Sequence, residues 1–96
     1  MAEKKVRVRN STADVPTIRA LIVHLNPNIE AIFDVAQGNF VQNNHMSQGH
    51  RGVVVWDDFS EEIILTDKFV LSTQNITVTI SGDSAGGYIM ILAQDF

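Results

Sequence analysis

The chain has no cysteine, which removes disulfides, thiolate metal sites and cysteine nucleophiles together. Small secreted domains lean on disulfides, so this absence points to an intracellular origin or to assembly into something larger. Basic residues are also scarce: seven Lys and Arg stand against eleven Asp and Glu, a net charge of −4. That balance suits a phosphate backbone poorly, and no nucleic-acid partner is expected. No uncharged apolar run reaches the length of a membrane-crossing helix, so no membrane span is expected. The opening Met-Ala-Glu-Lys-Lys carries no apolar stretch. The expectation is therefore a chain made without a signal peptide, cytoplasmic or part of an assembled particle. Repeats, low-complexity tracts and linkers are missing too, so 1–96 reads as a single domain. Nothing resembles a cofactor motif, and none is expected.

What is present reads mainly as strand. Ile76, Val78 and Ile80 alternate with Asn75, Thr77, Thr79 and Ser81, the period-2 pattern of a half-buried strand. The cluster 82–87, Gly-Asp-Ser-Ala-Gly-Gly, supplies a reversal of about six residues. Tyr88 to Ala93 is apolar without alternation, as expected of a strand covered on both faces, central or beneath a partner. Together these predict a β-hairpin.

The turn also matches the Gly-x-Ser-x-Gly nucleophile elbow at Ser84. Its six residues resemble the Gly-Asp-Ser-Ala-Gly-Gly string of hormone-sensitive-lipase-like α/β-hydrolases, and differ by one glycine from the string of trypsin-like proteases. The resemblance implies a serine hydrolase using Ser84. The hydrolase elbow, however, leads into a helix and its histidine follows the serine. Here a strand follows, and His24, His45 and His50 all precede Ser84. The protease order is met by His50, Asp57 or Asp58, and Ser84, but the chain is too short for that enzyme's two barrels. The turn reading is preferred, and the chain is expected not to be an enzyme.

Lys4 to Arg9 alternates Val6 and Val8 with Lys5, Arg7 and Arg9, which predicts an opening edge strand with a basic outer ladder. The acidic run Asp57, Asp58, Glu61 and Glu62 is its complement. The two sets are candidate interaction residues, meeting inside one fold or between subunits. The segment 15–37 is ambiguous. Ile18, Leu21, Ile22 and Leu25 fall at helical spacing with Asp14 as N-cap, and Ile29, Ile32, Phe33 and Ala36 repeat it with Gly38 as the C-terminal cap. As strand, Thr17 to Val23 is rich in β-branched residues, and Ala31 to Val35 would pair with Asn39 to Val41 across Gln37-Gly38.

Residues 42–52, Gln-Asn-Asn-His-Met-Ser-Gln-Gly-His-Arg-Gly, read as a polar surface loop. Asn43, Asn44, His45, Gln48, His50 and Arg51, with Trp56 beside them, form a candidate ligand loop for sugar hydroxyls. Two histidines five apart match no standard metal site. Trp56 is expected to anchor the core. Glu61 to Thr66 and Phe69 to Leu71 read as two short strands around Asp67-Lys68. Asn10-Ser11-Thr12 and Asn75-Ile76-Thr77 fit the glycosylation triplet, and without a secretory signal both read as chance.

The pattern as a whole predicts an all-β fold, a two-layer β-sandwich of about 7–9 short strands, immunoglobulin-like or jelly-roll-like. The alternative is α+β, with a helical pair at 15–37 on an antiparallel sheet. The expected function is a non-enzymatic interaction module in a homo-oligomer or larger repeated assembly, a virion accessory or decoration protein being one example. Its partners would be copies of itself or other protein subunits. A lectin-like carbohydrate-binding module is the alternative.

Overall fold

The computed structural model describes residues 4–24, 28–46, 48–72 and 74–94, with backbone alone for 4 and 44–46. Its eight strands are β1 (Lys4–Thr12), β2 (Thr17–His24), β3 (Ile29–Ala36), β4 (Phe40–Met46), β5 (Gly49–Asp57), β6 (Ile63–Leu71), β7 (Ile76–Asp83) and β8 (Gly87–Ala93). They form two four-stranded sheets, β4-β1-β7-β8 and β3-β2-β5-β6. Every neighbouring pair is antiparallel except β1 and β7, which run parallel with Val6 opposite Ile76. At the open sides of the sandwich β4 lies against β3, and β8 against β6.

Alternation explains the layers. Val6 and Val8 of β1 and Ile76, Val78 and Ile80 of β7 point inward from the first sheet. Ile18, Ala20 and Ile22 of β2, Phe33 and Val35 of β3, Val53 and Val55 of β5, and Phe69 and Leu71 of β6 meet them from the second. Burying these side chains removes apolar surface from water at about 25 cal/mol per Å², the main stabilising term in so small a domain.

The expected two-layer β-sandwich of seven to nine strands is therefore what the chain forms, with eight. The helical pair at 15–37 does not form; β2 and β3 pair in its place, with Ile18 opposite Val35 and Ala20 opposite Phe33. The helical spacing arose because β2 is apolar on both sides. Ile18 and Ile22 face the core, while Leu21 lies on the outer face.

Several boundaries differ from expectation. The strand at Lys4 to Arg9 is not an edge but lies between β4 and β7. The polar segment 42–52 is not a loop. It supplies most of β4 and the first half of β5, where Gln42 opposes Arg7 and Asn43 opposes Val6. Backbone pairing carries these residues, and their amide side chains sit on an edge strand. Asp67 and Lys68 do not divide two strands, since β6 runs through them. The reversal at Gln37-Gly38 carries the chain from one sheet to the other, so β3 and β4 do not form a hairpin. The β7–β8 hairpin is present with a turn of only Ser84, Ala85 and Gly86, because Asp83 already pairs with Gly87. Finally, β8 is neither central nor covered on both faces. It is an edge strand on which Ile89, Ile91 and Leu92 are exposed.

Candidate functional site

Ser84 sits at the tip of the β7–β8 hairpin, and the residues around it act on the turn. The Asp14 carboxylate accepts the Ser84 main-chain N–H at 3.0 Å and the Tyr88 hydroxyl at 2.8 Å. Asp83 Oδ1 accepts the Gly86 N–H at 2.7 Å. Gly82 has φ +97, and a Cβ there would stand 2.2 Å from the Gly87 carbonyl oxygen, so the motif's first glycine is required by the close approach of the hairpin arms. The Ser84 N–H, then the Ser84 side chain and Tyr88, hold the Asp14 carboxyl below its ordinary value. Burial first, and the bond to Asp14 second, push the Tyr88 hydroxyl up to about 12. His24 and His50 lie at the other end of the sandwich. His24 ends the strand that Thr17 begins, seven residues or roughly 23 Å from the turn end.

The charged candidates divide between the sheets. Lys5, Arg7 and Arg9 project from the outer face of β1, where the Arg7 and Arg9 guanidinium carbons lie 4.3 and 5.2 Å from the centre of the Phe40 ring. Such cation–π contacts anchor an aromatic on an otherwise polar face. Asp57, Asp58, Glu61 and Glu62 belong to the β5–β6 reversal. Asp57 Oδ1 accepts the N–H groups of Phe59 and Ser60 at 2.8 and 3.3 Å, and so builds the turn. Asp58 pairs with Arg19 at 3.3 Å, and Arg19 also holds Asp34 at 2.8 Å. Asp34 foremost, with Asp58 adding to it, raises the Arg19 guanidinium further above its ordinary value. Phe59 at the tip is 94% exposed.

The proposed ligand loop is not gathered into one place. Asn43 lies on β4 in the first sheet, and the side chains of Asn44 and His45 fall outside the described residues. Gln48 is exposed between β4 and β5. Arg51 is 1% exposed and its Nε donates to Glu30 Oε1 at 2.6 Å, a partly buried pair with His24 also 3.5 Å from Glu30. Arg51 is thus held inside the fold. His50 points outward and, with Arg51, Lys68, Phe69 and Val70, lines a cleft of about 380 Å³. Trp56 is six residues farther along β5, roughly 20 Å away. It is half-buried on the outer face, not in the core, because Val53 and Val55 take the inward positions. Among the described residues no three His, Cys, Asp or Glu side chains group to hold a metal.

One surface was not foreseen. On the outer face of the second sheet, Ile32, Leu21 and Val54 lie side by side across β3, β2 and β5. Ile29 and Val23 continue the apolar area on one side, Trp56 and Ile63 on the other. Ile32 is 58% and Ile63 64% exposed. The signal was visible as apolar residues at both parities of β2 and β5, a pattern that an ordinary half-solvated sheet lacks. Comparison with protein-family models and with curated proteins finds no match for the chain.

Proposed function

We propose that the chain is a non-enzymatic interaction module working by protein–protein contact in a homo-oligomer or larger repeated assembly, of the kind that an accessory or decoration protein of a virion provides. The observation that supports this reading is the apolar stripe across the outer face of the second sheet, Ile32, Leu21 and Val54 flanked by Val23, Ile29, Trp56 and Ile63. Antiparallel sheets of monomeric sandwiches present a polar outer face to water, and contiguous apolar surface marks a place where something else is buried. Each side chain covered there adds to association as core side chains add to folding.

Sedimentation velocity over a concentration series tests the reading. The wild-type chain is expected to associate with rising concentration. The double variant Ile32→Lys, Val54→Lys places two charges in the stripe without touching the core, and is expected to weaken association at least about tenfold, roughly 1.4 kcal/mol. A wild-type chain that stays monomeric throughout the series would sink the proposal.

A further inference from the structure

We propose that β8 pairs antiparallel with β8 of a second copy about a two-fold axis through Met90, joining two β4-β1-β7-β8 sheets into one sheet of eight strands. This rests on the chain being a contact module and names one contact of that module.

The sandwich has four edge strands, and they are not alike. An open edge presents unpaired N–H and C=O groups to any extended chain, and proteins protect such edges with charge, bulges or cover. The edge strand β3 carries Glu30 and Asp34, and β6 carries Asp67 and Lys68. The pairing of β4 is broken by a bulge between Lys4 and Val6. From Gly87 to Ala93, β8 has no charged residue, no proline and an unbroken register with β7. Its outward side chains are open, while on the core side Tyr88 and Met90 are half-buried. Ile89 and Ile91, opposite Ser81 and Thr79, are 54% and 48% exposed outward, and Leu92 on the core side is 43% exposed at the open side of the sandwich.

The sequence of the strand selects the occupant. Tyr-Ile-Met-Ile-Leu, residues 88–92, is symmetric in character about Met90. Directly opposed residues of an antiparallel pair share one face, and a two-fold axis perpendicular to the sheet keeps outward residues outward. Centring the axis on Met90 overlaps all seven residues of the strand. Ile89 then meets the partner's Ile91 on the outer face, and Tyr88 meets the partner's Leu92 on the core side. Every apolar side chain from Tyr88 to Leu92 finds another, and the chain's net negative charge has no representative on either strand. A second copy satisfies this edge by symmetry alone, giving an isologous contact that closes at two.

The absence of native cysteine makes the register measurable. In Met90→Cys the single thiol faces its own counterpart across the axis, and a short bismaleimide is expected to convert most of the protein to covalent dimer. Adding Ile91→Lys is expected to abolish that product, and Ile91→Lys combined with Ile32→Lys and Val54→Lys should leave only monomer in the sedimentation profile. The stripe variant Ile32→Lys, Val54→Lys should keep the β8 dimer while losing larger species. If Met90→Cys does not fold, Ile91→Lys in the Ile32→Lys, Val54→Lys chain decides, because residue 91 is exposed and the stripe is already disabled: a dimer that survives there overturns the proposal. Association in the wild type together with no cross-link at residue 90 would overturn β8 pairing and leave the module reading standing. A strictly monomeric wild type would remove the module reading itself.

Discussion

Asn10 ties the two sheets together through one side chain. It is fully buried, its Nδ2 donates to the carbonyls of Val15 and Val35 at 3.1 and 3.0 Å, and its Oδ1 accepts from the Thr12 N–H and hydroxyl. All four hydrogen-bonding positions of the amide are used. The glycosylation triplet that begins here is accordingly closed to a glycan. Asn10→Ala takes a donor from the Val15 and Val35 carbonyls and the acceptor from the buried Thr12 N–H, and is expected to lower unfolding free energy by about 3 kcal/mol, read as a lower denaturant midpoint with unchanged slope. An unaltered midpoint would show that water replaces the amide without loss. The role of Asn10 was not legible beforehand, because an asparagine after an alternating strand reads as a turn. Arg51 was hidden for a similar reason. Its partner Glu30 lies 21 residues earlier, so nothing in the polar string around Arg51 marks it as buried.

At the level of elements, alternation was informative wherever one face of a strand is polar. Thus β1 and β7 could be read directly, with the correct side chains inward. Uniformly apolar strands could not be placed, since a strand covered on both faces and an uncovered edge strand have the same composition; β8 belongs to the second kind. The same ambiguity made β2 resemble a helix. The hairpin turn was legible, but its support by Asp14, 70 residues from Ser84, was not. That support has a pH signature. Asp14 has a lowered value in the fold, so its contribution is complete above its ordinary 3.8 and is lost as pH falls below that through the lowered value. Tyr88 is raised from 10.0 to about 12, so its contribution is complete below 10 and is lost as pH rises from there through about 12. Tyr88 is the only tyrosine, so ultraviolet titration reports it alone. In Asp14→Asn the ionisation midpoint is expected to move part of the way from 12 back towards 10, with burial holding the remainder. A midpoint that stays at 12 would mean that burial alone sets it.

For the whole molecule, charge and apolar surface suggest different assemblies. The basic ladder of Lys5, Arg7 and Arg9 projects from one sheet, and the acidic reversal closes one end of the other, with Asp58 already held by Arg19. The stripe on the second sheet and the β8 edge are largely uncharged. Association through them is expected to persist as salt rises from ~0.05 M to ~0.5 M, whereas contacts between exposed charges weaken as the screening length shrinks. Light scattering across that series decides between them: dissociation at high salt would assign assembly to the charged patches. The parallel pairing of β1 with β7 bears on how the molecule comes into being. Val6 waits for Ile76, so the first strand of this fold to be made is among the last to acquire both neighbours. Until then β1 has only β4 as a neighbour within its sheet, and that sheet stays incomplete while β2, β3 and β5 can already associate. Closing a loop of that length precedes any return from the contact, which places folding on the order of milliseconds to seconds. Nascent chains that stop short of residue 76 would thus carry a half-built layer, and chaperone capture is expected to be concentrated in that window.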